Sequence, residues 1–215
     1  SIYHYRKRKD GSSAIQTSNN KRDWYTDTIK YCHDYLIKLS MQKYGVVIPY
    51  VQHFIMYNLQ WRIKTKIADS LTEKEKINYV NTMKKHLSII DDNIILFQKQ
   101  MKNSYKLLAL KVKYGKKLEQ YLKSGEDGIY FKEQLFIPYN SITNNVQLAH
   151  IEKGKLIVEG NIILYNFPLY YTINGEKRVE INTYLKNTID SIFEPEYDVE
   201  KYGYLAEIPL ENVHS

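Results

Sequence analysis

The chain has 215 residues, of which 43% are hydrophobic, and a formal net charge of +7. This composition is typical of a globular protein with a buried core and excludes a chain that is disordered throughout. Cys32 is the only cysteine, which excludes an internal disulfide and a cysteine-based zinc site and predicts a reducing compartment, the cytoplasm. No apolar run reaches the roughly 20 residues that a membrane-spanning helix needs.

The first residues predict a strand with a basic edge that faces phosphate. Alternating aromatic residues at 2–5 lead into four consecutive cations and a Gly-Ser turn. Guanidinium groups and turn N–H groups suit a diphosphate or an anionic acceptor, and the alternative is a solvated basic turn. The predicted substrate- or diphosphate-binding residues are Arg6, Arg8, Lys9, Gly11, Ser12 and Ser13. Because nothing upstream can pair with this strand, we expect the chain to be part of a longer protein.

Three apolar stripes predict the first three helices. The first stripe consists of Tyr25, Ile29, Cys32, Leu36 and Leu39 and ends near Gly45. Pro49 suits the first turn of a second helix, whose inner stripe is Val51, Ile55, Leu59, Ile63 and Ile67. In that helix we expect Trp61 to fill a core and Arg62 to reach a carboxylate. Thr72 and Glu75 form a capping box that opens the third helix, with Ile77, Val80, Met83, Leu87 and Ile90 directed inward.

A fourth helix is predicted from Ile94 to Val112, with Phe97 on its inner face and Gly115 as its terminator. Its outer side carries a basic stripe that could bind a polyanion or an anionic membrane surface, the alternative being a solvated helix face. The predicted polyanion-binding residues are Lys99, Lys102, Lys106, Lys113 and Lys117.

Beyond Gly128 the apolar period changes to two, which predicts strands over 129–138, 146–151, 155–165, 169–173, 178–181 and 204–210. Residues 152–154 and the pair Asn174-Gly175 predict hairpin turns. The fold class is therefore α+β: about four helices followed by an antiparallel β-sandwich-like domain or a small barrel.

Charge divides the chain more sharply than any linker. Residues 1–120 contain 23 Lys and Arg against 10 Asp and Glu, whereas residues 121–215 contain 8 against 14. The first part is suited to polyanions and the second is not. We predict three regions: 1–20 as the end of a preceding domain, 21–124 as a basic helical extension, and 125–215 as an accessory β-domain.

Two motifs resemble bacterial family 2 glycosyltransferases of the capsule or wall teichoic acid type. They are Tyr-Arg-Lys-Arg followed by Gly-Ser-Ser at 5–13, and Met-Tyr-Asn-Leu-Gln-Trp-Arg at 56–62. The resemblance implies that residues 1–20 end a GT-A catalytic domain, and that the parent protein transfers a sugar from a nucleotide-sugar to a cell-surface polymer. It also implies a divalent cation, Mn or Mg, in that parent. No Asp-x-Asp metal motif stands in a suitable context here, so this chain alone is expected to be inactive and to hold no cofactor.

The expected partners, through the parent, are a nucleotide-sugar and an anionic glycopolymer acceptor. Peripheral contact with the inner face of the plasma membrane is a further expectation, as is acceptor docking or self-association through the β-domain, and nucleic acid is not expected. Two alternatives stay open: a non-catalytic helical module that binds polyanions, and part of a teichoic acid glycerophosphotransferase.

Overall fold

The structure is a computed structural model that describes residues 17–141, 145–162, 169–173, 177–189, 192–193, 197 and 199–212. Helices come first and antiparallel sheets follow, which confirms the α+β prediction. The chain divides between Met101 and Lys102 into two compact units, here called the helical unit and the β-rich unit. The boundaries predicted at residues 20 and 124 stay predictions. The predicted binding residues between Arg6 and Ser13 lie outside the described residues.

The helical unit contains α1 (Arg22–Tyr25), α2 (Tyr35–Tyr44), α3 (Pro49–Arg62), α4 (Glu73–Ile89) and α5 (Asp92–Leu96). Gly45 ends α2 with a φ of 72°, a left-handed conformation that glycine adopts without steric cost. Pro49 begins α3, as predicted from its fixed φ and missing N–H. None of the described helices is long and apolar enough to span a membrane.

The core of the helical unit is formed by α3, α4 and α5. Ile55, Met56 and Leu59 of α3 are fully buried, as are Leu87 of α4 and Ile95 of α5. Burial of one such side chain contributes roughly 1.5–3 kcal/mol. The inner stripe predicted for α3 is therefore confirmed from Val51 to Ile63.

A π-helical segment, Ile29–Asp34, lies between α1 and α2 and rotates the buried face of the chain. Its i to i+5 hydrogen bonds add a residue to the turn, so the next inward position falls on His33 rather than Cys32. Leu39, predicted inward, is 44% exposed, while Ser40 is buried. Ser40 accepts from the Ile48 N–H and donates to the Val46 carbonyl, each at 2.9 Å, which fixes the turn into α3.

The predicted capping box at the start of α4 is present. The Thr72 hydroxyl accepts from the Glu75 N–H at 3.3 Å, and the Glu75 carboxylate accepts from the Thr72 N–H at 3.0 Å. Arg22 also donates to Glu75, and together these bonds hold the pKa of that carboxyl near 2. Ile77, predicted inward, is 61% exposed, and Tyr79 and His86 take the buried positions instead.

We expect Thr72→Ala to lower the free energy of unfolding of the helical unit by about 1 kcal/mol, because the Glu75 N–H loses the hydroxyl that accepts its hydrogen bond. Both tryptophans, Trp24 and Trp61, lie in this unit, so tryptophan fluorescence during urea unfolding reports on it alone. Thr82→Ala is the matched control within α4, since the Thr82 hydroxyl donates only to the Asn78 carbonyl of the same helix. Equal losses for the two variants would contradict the capping role.

The β-rich unit begins with α6 (Asn103–Tyr114), which a 3-10 segment, Gly115–Tyr121, connects to the first strand. In the described part of this unit the strands form three sheets, in the orders β1-β2-β3, β4-β5-β9-β8 and β6-β7, and every pair is antiparallel. The strands are β1 (Leu122–Ser124), β2 (Gly128–Phe131), β3 (Gln134–Pro138), β4 (Asn145–Glu152), β5 (Lys155–Ile162), β6 (Leu169–Ile173), β7 (Lys177–Ile181), β8 (Thr183–Ile189) and β9 (Val199–Pro209).

The turns account for the differences from the predicted strands. Lys132, with a φ of 56°, divides the predicted strand 129–138 into the β2-β3 hairpin. The predicted turn at 152–154 is confirmed, and Lys153 and Gly154 both have positive φ. Strands β1 and β8 were not predicted. The predicted Asn174-Gly175 turn lies outside the described residues.

The prediction of one helix from Ile94 to Val112 is wrong. Helix α5 ends at Leu96 and α6 begins at Asn103, with a tight turn between them. The Met101 N–H donates to the Gln98 carbonyl at 3.1 Å, which closes this turn and buries Met101. Phe97, predicted inward, is 64% exposed as a result.

Candidate functional site

The outer side of α3 carries a stripe of exposed aromatic side chains. Tyr50, Phe54, Tyr57 and Trp61 follow one another at spacings of four, three and four residues, which places them on one face of the helix. Their exposed fractions are 78%, 36%, 54% and 46%. Such a continuous exposed aromatic surface is typical of a binding site rather than of an ordinary helix face.

A groove of about 440 Å³ runs beside this stripe within the helical unit. One wall comes from α3 and the other from the turn that follows α5. The His53 and Phe97 rings meet edge to face with centroids 6.1 Å apart, and the Lys99 ammonium lies 5.7 Å from the Phe97 centroid. The lining residues are Tyr50, His53, Phe54, Tyr57, Gln60, Phe97, Gln98, Lys99 and Gln100. We call this feature the α3 groove.

The two walls of the α3 groove are tied together by Gln52, a residue of the buried side of α3. Its carbonyl oxygen accepts from the Asp91 N–H at 2.6 Å, and its amide donates to the Asp91 carboxylate at 3.2 Å. Asp91 immediately precedes α5. The position of α5 against α3, and hence the width of the groove, therefore depends on these two bonds.

Gln60 adds a buried polar atom to the α3 groove. The residue is 1% exposed, and its carbonyl oxygen has no hydrogen-bond partner in the part of the chain that the structure describes. A buried acceptor without a donor costs free energy, and such atoms in native proteins call for a functional or structural explanation. The groove thus combines aromatic faces, amides and a cation, and no Asp or Glu is among its lining residues.

Two buried histidines lie behind the groove. The His33 ring is 6.3 Å from the Phe54 ring and 5.4 Å from the His86 ring, measured between centroids. Burial, with the nearby His86 and Arg62, lowers the pKa of His33 to about 3, so its ring is neutral at pH 7. Burial also lowers the pKa of His86, although its Nε2 atom lies 2.9 Å from the Asp34 carboxylate, which acts in the opposite direction.

Arg62 and Trp61 have the reverse of their predicted roles. Arg62 is 1% exposed, donates to the Trp24 carbonyl at 2.5 Å and stacks over the Trp24 ring at 4.0 Å. Its ion pairing with a carboxylate, which was expected, is absent from the described residues. Trp61 is 46% exposed. The reason is that the face of α3 that carries Arg62 packs toward Trp24 of α1 and Tyr79 of α4. Tyr79 is itself buried there, and burial raises its pKa to about 12.

The five lysines of the predicted basic stripe are not on one helix. Lys99 belongs to the α3 groove, and Lys102 is the residue before α6. Lys106 and Lys113 are part-buried on α6, and burial lowers the pKa of Lys106. Lys117 lies in the 3-10 segment after α6. Their binding to a polyanion stays a prediction.

Among the residues that the structure describes, no three His, Cys, Asp or Glu side chains lie close enough together to hold a metal ion.

The sequence contains the signal for the α3 groove, because the spacing of Tyr50, Phe54, Tyr57 and Trp61 is helical. Of these four residues only Trp61 is predicted above to fill a core, and the structure exposes it instead. The second wall could not be found from the pattern, since it depends on the break after α5.

The fold and groove define an α+β protein whose helical unit presents an aromatic, amide-lined and cationic groove. The chain is 27% identical over 218 residues to the minor teichoic acid biosynthesis protein GgaB of Bacillus subtilis (strain 168), covering 96% of this chain and 24% of GgaB. It is 26% identical over 222 residues to the minor teichoic acid biosynthesis protein GgaA of the same organism, covering 97% of this chain and 46% of GgaA.

These relatives confirm the resemblance to proteins of wall teichoic acid synthesis. The chain spans less than half the length of each of them. No family model and no solved structure matches the chain.

Proposed function

We propose that this chain is part of a transferase that moves a sugar from a nucleotide-sugar to a teichoic acid or a related cell-surface polymer, at the inner face of the plasma membrane. The observation that carries the proposal is the alignment of nearly the whole chain with two teichoic acid biosynthesis proteins. The α3 groove supports it, because exposed aromatic rings, amides and a cation suit a polymer of sugars and phosphates.

Within such a transferase, we assign to this chain the holding of the acceptor polymer. The described residues supply a groove, and no three His, Cys, Asp or Glu side chains among them lie close enough together to hold a metal ion. We assign nucleotide-sugar binding, and the divalent cation that offsets the charge of a leaving diphosphate, to a preceding domain of the longer protein. The basic cluster from Arg6 to Ser13 is proposed to contribute to that diphosphate site.

A non-catalytic polyanion-binding module is the second candidate, and the basic helical part of the chain favours it. The third candidate, transfer of glycerol phosphate, differs from the first in its activated donor. The experiment described next distinguishes the two.

The test compares this 215-residue chain with a protein that carries about 200 further upstream residues, the size of a nucleotide-sugar-binding domain. Each is mixed with radiolabelled nucleotide-sugars and a teichoic acid acceptor, and label in the polymer is measured. We expect transfer by the longer protein and none by the chain alone. Absence of transfer from every nucleotide-sugar by the longer protein would overturn the proposal, and transfer from a nucleotide-activated polyol would favour the third candidate.

A further inference from the structure

We propose that the α3 groove binds one sugar–phosphate repeat of an acceptor polymer, with the sugar ring against Tyr57 and Tyr50 and the phosphate at Lys99. This inference rests on the proposed function and specifies which chemical groups of the acceptor the groove recognises.

The aromatic wall accounts for the sugar. The Tyr50 and Tyr57 rings are more than half exposed, although their apolar faces are large enough to favour burial. A pyranose ring has one apolar C–H face that packs on an aromatic ring and a rim of hydroxyl groups. Gln98 and Gln100 line the same groove, and amide side chains can donate to and accept from such hydroxyls.

Gln60 provides a second, independent observation in favour of a ligand that carries hydroxyl groups. Gln60 is a lining residue of the groove, and its buried carbonyl oxygen has no hydrogen-bond partner among the described residues. A ligand hydroxyl that reaches this oxygen would remove the cost of the missing bond. A purely apolar partner, such as a helix with an aliphatic face, would leave that cost in place.

The charge of the groove accounts for the phosphate. The Lys99 ammonium lies beside the Phe97 ring at the rim, and Lys99 is exposed. Since no Asp or Glu lines the groove, its potential favours an anion. A sugar unit and a phosphate joined in one repeat would satisfy the aromatic wall and the lysine at the same time.

The binding test uses the 215-residue chain and three probes: a glycosylated polyol-phosphate polymer, the same polymer with its sugars removed, and a neutral oligosaccharide of the same sugar. Tyr57→Ala should weaken binding of the glycosylated polymer about tenfold and leave the sugar-free polymer unaffected. Lys99→Gln should weaken both polymers and reduce the slope of log affinity against log salt by about one, without changing oligosaccharide binding.

Matched controls come from α2, whose exposed face lies outside the groove. Tyr35 is 59% exposed and Lys38 is exposed, so Tyr35→Ala and Lys38→Gln change the same residue types away from the site. These variants should bind like the unchanged chain. Equal weakening by groove and control variants would overturn the inference. Nucleic-acid bases also stack on aromatic rings, so tighter binding of a single-stranded oligonucleotide than of the glycosylated polymer would overturn it as well.

The longer protein separates failure of this inference from failure of the proposed function. There, Tyr57→Ala should raise KM for the polymer and leave KM for the nucleotide-sugar unchanged. Transfer with an unaltered polymer KM would overturn the groove assignment alone. A longer protein without transfer would overturn the proposed function, and the binding measurements would still decide the groove.

Discussion

A fall in pH from 7 to 4 is expected to lower the free energy of unfolding of the helical unit by roughly 3 kcal/mol through His33 alone. Burial places the pKa of His33 at about 3 in the folded chain, against an ordinary value of 6.5. Below pH 6.5 the unfolded chain takes up a proton on this ring, whereas the folded chain does so only near pH 3. The stabilisation is therefore complete above pH 6.5 and is lost progressively as the pH falls toward 3. His86, whose pKa is also lowered, adds to the loss.

The measurement is urea unfolding followed by tryptophan fluorescence at several pH values between 4 and 7.5. His33→Leu should flatten most of the pH dependence while retaining stability at pH 7, because both ring nitrogens of His33 are buried without partners among the described residues. Ile55→Val, in the same core, should lower stability by about 1 kcal/mol equally at every pH. A steep acid loss that persists in His33→Leu would contradict the assignment.

Replacement of Arg62 by alanine is expected to cost the helical unit about 3 kcal/mol or more. The change leaves a cavity where a fully buried side chain stood, removes the stacking on Trp24 and leaves the Trp24 carbonyl without its donor. The loss should appear as a lower urea midpoint of the fluorescence transition.

Arg62→Met distinguishes packing from charge. Methionine restores much of the volume, and the buried guanidinium has no carboxylate partner in the described part of the chain, so Arg62→Met should recover most of the stability. Arg22→Ala is the surface control, because Arg22 makes an exposed ion pair with Glu75 and its loss should matter far less. If Arg62→Met were as damaging as Arg62→Ala, the guanidinium itself would be the stabilising group.

Features of the fold that depend on local chemistry could be predicted from the sequence. Gly45 ends a helix because it adopts a positive φ, Pro49 begins one because its φ is fixed, and Thr72 with Glu75 caps another through bonds three residues apart. The hairpin turn at 152–154 belongs to the same group. Each of these depends on a few neighbouring residues and needs no knowledge of the tertiary structure.

Features that depend on distant contacts were predicted less well. The π-helical segment moved His33 into the core, and the break after Leu96 turned Phe97 outward, although the apolar spacing continued through both places. An apolar pattern shows which residues can share a face, but it does not show whether the backbone keeps a constant period.

The candidate site illustrates the same limit. The aromatic stripe on α3 was visible in the sequence, but its exposure was not, because a stripe that extends a core and a stripe that borders a groove have the same spacing. Arg62 is a further case: a cation next to a tryptophan in the sequence is ordinarily assigned to the surface, and only the packing of α1 shows that it is buried.

The tie between Gln52 and Asp91 has a consequence for how the α3 groove meets a ligand. Because these bonds form when the helical unit folds, the entropy of fixing both walls is lost at folding and not at binding. The groove is in this sense preorganised, and a ligand has little rearrangement of the backbone to bring about.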